Sequence, residues 1–233
     1  MGFRIQGVLV RAMPDRAALA ALQRVYGYRL YEVTAAGVWL LDLAVPVPVP
    51  GDRAAARAAR PLAPGYIDAL RVIDGDESPL EQIAWLTASD VVSRQLRQPV
   101  LGFLSDDDQL DFAAAVAPEG VQSIGDRLAR YLFRWEAGAL TIQPFADRDA
   151  DRDELSVPEE LSLIPSVTLL SVETLGDDGY PLHGNVVAEM PGFAHAAQPL
   201  GIGSEKAGRS GSLTLIEAAG LESSLWDTSA GLP

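Results

Sequence analysis

The apolar positions at the start of the chain predict a β-α-β-β order of elements. Residues 3–11 carry apolar side chains in the pattern of a strand that is buried on one or both faces. A helix is predicted to follow, because Pro14 and Asp15 favour a helix start, Gly27 favours a helix end, and the apolar residues between them recur at helical spacing. Two further strands are predicted at 28–33 and 38–43.

The middle of the chain predicts helices followed by hairpins. Alanine- and arginine-rich residues 52–60 and residues 66–73 favour short helices, and Ser78, Pro79 and Glu81 are spaced like the capping box of a longer helix that ends near Gln98. Strands are predicted at 100–104 and 110–116, with an acidic turn between them. Residues 120–125 are predicted to be a loop, and 131–142 a hairpin that turns at Ala137-Gly138.

The C-terminal third gives a weaker pattern. A strand is predicted at 167–175, a tight turn at 176–179 and a second strand at 182–190. Residues 192–211 have no apolar period and are rich in glycine, so they are predicted to be mobile, and 212–225 form a weakly amphipathic helix. The whole predicts a single α+β domain over 1–233. Its sheet is mixed and largely antiparallel, with helices packed on it, and the acidic linker 147–154 is a possible sub-boundary.

Composition narrows the class of protein. The 233 residues include no cysteine, which excludes disulfides and a cysteine nucleophile. The first residues do not resemble a signal peptide, and no apolar run approaches the length of a membrane span, so we expect a cytoplasmic protein. Lysine is almost absent among the basic residues, which are mostly arginine, and alanine is abundant. These biases suggest a GC-rich bacterial genome.

Charge is the composition feature that says most about partners. The formal net charge is −14, but residues 1–75 hold nine basic and six acidic residues (+3), whereas 76–233 hold nine basic and twenty-six acidic residues (−17). Such a field repels nucleic acid and anionic lipid and attracts basic protein surfaces. We therefore expect a basic protein partner, and neither nucleic acid nor a membrane. The alternative interpretation of the charge is solubility alone.

Two acidic clusters are candidates for metal binding, acid–base chemistry or partner binding. Asp106, Asp107, Asp108 and Asp111 fall at the predicted turn between two strands, and we name them the acidic hairpin end. Carboxylates brought together can bind Mg²⁺ or act as acid and base, but aspartate is also a common turn residue, so partner binding is the role we assign. Asp149, Asp151, Asp153 and Glu160 have calcium-loop spacing. However, Glu154 stands where that loop needs glycine, which favours a solvated linker.

Three other motifs point to chemistry only weakly. Residues 203–210 resemble a phosphate-binding loop but carry Arg209 at the lysine position and follow no apolar strand. His183 and His195 have no partner at metal-ligand spacing. Tyr131, Phe133 and Trp135 alternate as nucleobase-stacking residues would, but with a net charge of −14 they are predicted to be the core face of a hairpin. No cofactor and no metal is expected.

The function predicted by exclusion and charge is protein binding. An acidic chain without a catalytic constellation suits an immunity protein that neutralises a bacterial toxin by covering its active site, since an acidic surface suits toxins that bind nucleic acid or nucleotide phosphates. Two alternatives stay open. One is an enzyme whose site is scattered over the fold, and the other is a structural adaptor of a bacterial assembly. An enzyme would need a concave pocket with converging polar groups.

Overall fold

The computed structural model describes nine stretches of the chain. They are residues 4–10, 15–25, 29–33, 38–42, 59–74, 80–106, 110–128, 130–146 and 156–174. Within them the chain forms one largely antiparallel mixed sheet with three α-helices, which confirms the predicted α+β class. The strands are β1 (Arg4–Val10), β2 (Arg29–Val33), β3 (Val38–Asp42), β4 (Val100–Asp106), β5 (Leu110–Ala117), β6 (Gly120–Leu128), β7 (Tyr131–Glu136), β8 (Ala139–Ala146), β9 (Val167–Leu169) and β10 (Glu173–Thr174). The helices are α1 (Arg16–Val25), α2 (Tyr66–Asp74) and α3 (Leu80–Leu96), and a 3₁₀ turn spans Glu159–Leu163.

The predicted β-α-β-β opening is confirmed by β1, α1, β2 and β3. Asp15 lies just before α1 rather than in its first turn, and its Oδ1 accepts a hydrogen bond of 2.7 Å from the backbone N–H of Ala18. This bond satisfies one of the free donors at the helix start. Leu19 and Leu22 form part of the buried face of the helix, as their spacing predicts.

Helix α3 packs on β4 and β5, and the residue after its last described turn has a left-handed backbone conformation. Arg97 has φ of 54°, and the backbone N–H of Gln98 donates to the carbonyl oxygen of Ser93 at 3.3 Å. This is the hydrogen-bond pattern of a Schellman C-cap, in which glycine is the usual residue at the left-handed position. The predicted helix end near Gln98 is therefore confirmed to within two residues. The capping box at Ser78 and Pro79 lies outside the described residues.

Five consecutive strands, β4 to β8, form an antiparallel meander that makes up about half of the sheet. Ala137 (φ 49°) and Gly138 (φ 87°) form the two-residue turn between β7 and β8, where both central residues need positive φ. The prediction of a loop at 120–125 was wrong, because these residues belong to β6. Its polar residues and glycines hide the strand pattern, and pairing with β5 and β7 on both sides holds it in the sheet.

The strand order across the sheet is β10-β8-β7-β6-β5-β4-β1-β3-β2. Strands β9 and β10 both pair with β8 in the parallel direction, one after the other along its outer edge. The strand predicted at 167–175 is thus confirmed as two short pieces. Its predicted hairpin partner at 182–190, the predicted helix at 212–225 and the segment 192–211 lie outside the described residues.

The core lies between the sheet and the helices. Alternate residues of the central strands face the helices, and this face includes Val8, Leu104, Phe112 and Phe133. Residues 59–70 and Leu161 of the 3₁₀ turn complete the same core. The chain on both sides of the linker 147–154 therefore packs on one sheet. The predictions of one domain and of a sub-boundary at that linker stay predictions.

Candidate functional site

The acidic hairpin end lies at one end of the sheet, where β4 finishes and β5 begins. Asp106 is the last residue of β4 and is paired with Leu110, the first residue of β5, while Asp111 is paired with Ser105. The predicted hairpin is therefore present, and its two strands carry Asp106 and Asp111 to adjacent positions. Asp107 and Asp108 lie outside the described residues.

The sheet register brings arginines to this acidic end. Arg4 of β1 is the cross-strand partner of Asp106, and Arg127 of β6 is the partner of Asp111. The Arg127 guanidinium contacts the ring of Phe145, at 5.4 Å from its centroid. The register thus places arginine positions next to the acidic hairpin end on both neighbouring strands, which sequence separation alone does not reveal.

A row of paired residues connects the acidic hairpin end to the outer strands. From β1 to β8 the row is Arg4, Asp106, Leu110, Leu128, Tyr131 and Pro144. Four strand spacings separate β4 from β8, which is about 19 Å. Strand β8 ends at Ala146, two residues beyond this row, and the acidic residues 147–154 follow it in the sequence. The last residue before the second acidic cluster thus lies at the same end of the sheet as the acidic hairpin end.

The alternating aromatic residues of β7 face the core. Tyr131, Phe133 and Trp135 are at most 7% exposed and belong to the main core cluster, as predicted. The indole N–H of Trp135 donates to the carbonyl oxygen of Pro64 at 3.0 Å, which ties the residues before α2 to the sheet. Their burial leaves no ring face free to stack on a base.

A buried polar pair lies between α2 and the sheet. The hydroxyl of Tyr66 donates to Oδ2 of Asp126 at 2.8 Å, and both residues are fully buried. The ring of Tyr66 also meets Phe133 edge-on, with centroids 6.0 Å apart. Burial, followed by the nearby Asp126 carboxylate, raises the pKa of the Tyr66 phenol well above 10.0. No pattern in the sequence indicates this pair, because the two residues are 60 positions apart and meet only after folding.

The outer edge of the sheet exposes apolar side chains that were not predicted to be functional. Leu163 is 78% exposed, Leu169 38% and Leu170 41%. Leu163 ends the 3₁₀ turn, which packs against β9. Leu169 is the last residue of β9, and Leu170 follows it. Within the described part of the chain these are the exposed large apolar residues. A sign of this was visible in the sequence, since Leu169 and Leu170 are adjacent and cannot both face one side of a strand.

The remaining chemical motifs receive no support from the described residues. Among these residues no three of histidine, cysteine, aspartate or glutamate lie close enough together to hold a metal ion. The phosphate-loop-like residues 203–210, both histidines and Asp149, Asp151 and Asp153 lie outside them. Glu160 is an exposed residue of the 3₁₀ turn.

No helix in the described stretches has the length and apolar character needed to cross a membrane. Comparisons with models of protein families, with curated proteins and with solved structures found no match to this chain.

Proposed function

We propose that this chain binds a basic protein and inhibits it, as an immunity protein does when it covers the active site of a toxin. The observation that carries the proposal is the concentration of acidic residues. Residues 76–233 have a net charge of −17, and the last residue before their second acidic cluster lies at the same end of the sheet as the acidic hairpin end. A field of this sign speeds encounter with a basic surface.

The acidic hairpin end is the proposed centre of this surface. About 19 Å across the sheet separates it from the end of β8, by the usual strand spacing. One partner of a stable complex covers roughly 800 Å² on its target, so a single partner can reach from the acidic hairpin end to the end of β8. Arg4 and Arg127 are in register with Asp106 and Asp111 on the two neighbouring strands.

An enzyme with a scattered site receives less support from the contacts described. The Tyr66–Asp126 pair combines a phenol and a carboxylate within hydrogen-bond distance, as acid–base sites do. Both side chains are fully buried between α2 and the sheet, however, so neither is accessible to a substrate in this structure. The pair is better explained as the anchor of α2 on the sheet.

The test of the proposal is a growth assay. The protein encoded beside this chain in its genome is expressed in a bacterial host, alone and together with the chain. Growth arrest by the neighbour and rescue by the chain are expected, and rescue should weaken when Asp106, Asp107, Asp108 and Asp111 are all changed to Asn. A neighbour that is harmless alone, or measurable turnover of a small molecule by the isolated chain, would contradict the proposal.

A further inference from the structure

The outer edge of the sheet presents backbone groups as well as apolar side chains. The backbone N–H of Leu140 donates to the carbonyl oxygen of Ser166, and the N–H of Leu170 donates to that of Ile142, both at 2.9 Å. Alternate residues of a strand direct their N–H and C=O groups to opposite edges. Ser166, Thr168 and Leu170 thus face β8, so Leu169 directs its N–H and C=O away from the sheet. No described strand pairs with this outer side.

We propose that this edge, residues 166–174, binds an extended segment of a basic partner protein by strand addition. The inference rests on the proposed function and names a second surface through which the partner is held. In strand addition the main-chain hydrogen bonds supply affinity, and alternate side chains supply specificity. Here Leu169 and Leu170 offer apolar contacts on the two faces of the added strand, and Leu163 extends the apolar surface into the 3₁₀ turn.

The acidic residues near this edge indicate that the added strand carries basic residues. Glu159 and Glu160 are exposed in the turn that precedes the edge, and Glu173 lies in its last piece. One carboxylate oxygen of Glu173, Oε1, is buried and has no hydrogen-bond partner among the described residues. Acidic residues thus stand at both ends of the edge, so lysine or arginine at the ends of a short strand would be attracted to them.

The same charges disfavour two other occupants. A second copy of this chain would bring its own acidic edge region against this one, and each copy carries a net charge of −14. Residues 175–233 of the chain itself hold seven acidic and two basic residues, so they also repel the edge. A basic segment from another protein meets no such repulsion.

Two synthetic peptides of alternating charge and valine test the inference on the full chain. One has the sequence Lys-Val-Lys-Val-Lys-Val-Lys and the other replaces each lysine with glutamate, and binding is measured by isothermal titration calorimetry. The lysine peptide should bind and the glutamate peptide should not. Backbone amide exchange, followed by NMR, should show Leu169 exchanging fast in the chain alone and becoming protected when the lysine peptide is added.

Two substitutions at one position separate backbone from side-chain contributions. Leu169→Pro removes the outward N–H, and Leu169→Thr keeps it while removing the apolar side chain. Because proline cannot donate a hydrogen bond, Leu169→Pro should weaken peptide binding by about tenfold or more, and Leu169→Thr by less. Thermal unfolding of both variants checks that the fold is retained. Equal peptide affinity for wild type and both variants would overturn the inference.

The exchange measurement also detects the other occupants. Protection of Leu169 in the chain alone at every concentration would mean that its own residues cover the edge, and protection that grows with concentration would mean a second copy. Either result overturns the inference. If the neighbouring protein is still neutralised and Leu169→Pro has no effect on its binding, the edge proposal fails and the proposed function stands. If the lysine peptide binds the edge but no basic protein is neutralised, the proposed function fails instead.

Discussion

At the scale of single residues, the buried Tyr66–Asp126 pair is expected to contribute to the stability of the fold. A buried carboxylate that loses its hydrogen-bond donor is destabilising, by about 1–3 kcal/mol or more. Because the phenol also packs against Phe133 and anchors α2, the pair links the helix to the middle of the sheet. Its contribution should therefore be visible in global unfolding rather than in local fraying.

The raised pKa of Tyr66 gives a prediction about alkaline pH. In the unfolded chain this phenol ionises near its ordinary value of 10.0, whereas in the folded chain it stays protonated to higher pH. The stability that results is fully present below about pH 10 and is lost as the pH rises toward the folded-state pKa. Above pH 10 the free energy of unfolding should fall by about 1.4 kcal/mol per pH unit because of this one proton.

The Tyr66→Phe variant tests this directly. Denaturant unfolding between pH 7 and pH 11 should show a less stable variant at neutral pH, with a shallower fall above pH 10 than in wild type. Tyr131→Phe is the control, and it should change the fall in stability above pH 10 less than Tyr66→Phe does. Burial also raises the pKa of Tyr131, but nearby Arg130 opposes the rise and the hydroxyl donates only a long bond of 3.4 Å to Ser156. If the free energy of unfolding fell equally steeply above pH 10 in wild type and in Tyr66→Phe, the pKa of the Tyr66 phenol would not be raised in the folded chain.

At the scale of elements, the contact of α3 with β4 depends on glycine at position 102 of β4. A Cβ atom added at Gly102 would overlap the hydroxyl of Ser89 and lie 3.0 Å from its Cβ. The Ser89 hydroxyl is itself held by a 2.7 Å bond to the carbonyl oxygen of Trp85 in the preceding turn. The helix can thus approach the strand closely only because position 102 is glycine.

Gly102→Ala should therefore destabilise the protein by about 1–3 kcal/mol through overpacking. In a Ser89→Gly background, which removes the atoms that would be overlapped, the same substitution should cost clearly less. The coupling is measured by denaturant unfolding of the two single variants and the double variant. Strictly additive effects would contradict the proposed close approach of helix and strand.

Elements whose apolar residues recur at regular spacing could be predicted from the sequence. Elements that are stabilised mainly by pairing with neighbouring strands could not. The opening, α3 and the hairpins around β4, β5, β7 and β8 follow from apolar spacing and turn residues. Strand β6 was missed, because Gly120, Gln122 and Gly125 interrupt its pattern and its partners stabilise it instead. The hairpin that carries Asp106 and Asp111 was likewise predictable, but the arginines beside it depend on strand order.

At the scale of the whole molecule, charge and sheet topology combine. The acidic hairpin end and the last residue of β8, which residues 147–154 follow in the sequence, are far apart in the chain but lie at one end of the sheet, so the two acidic clusters are not used as controls for each other. Suitable controls are exposed acidic residues elsewhere. Asp74 ends α2, and Glu119 lies in the turn between β5 and β6 at the opposite end of the sheet.

The central claim is that a basic protein is guided to the acidic hairpin end. Its most direct test is the association rate between the full chain and the neutralised partner, measured by stopped flow from about 0.02 to 0.5 M salt. The rate should fall steeply as salt screens the charges, while dissociation changes little. Asp106→Asn with Asp111→Asn should slow association at low salt by roughly three- to tenfold, against a smaller effect of Asp74→Asn with Glu119→Gln. An association rate independent of salt, or equal effects of the two pairs, would contradict the claim.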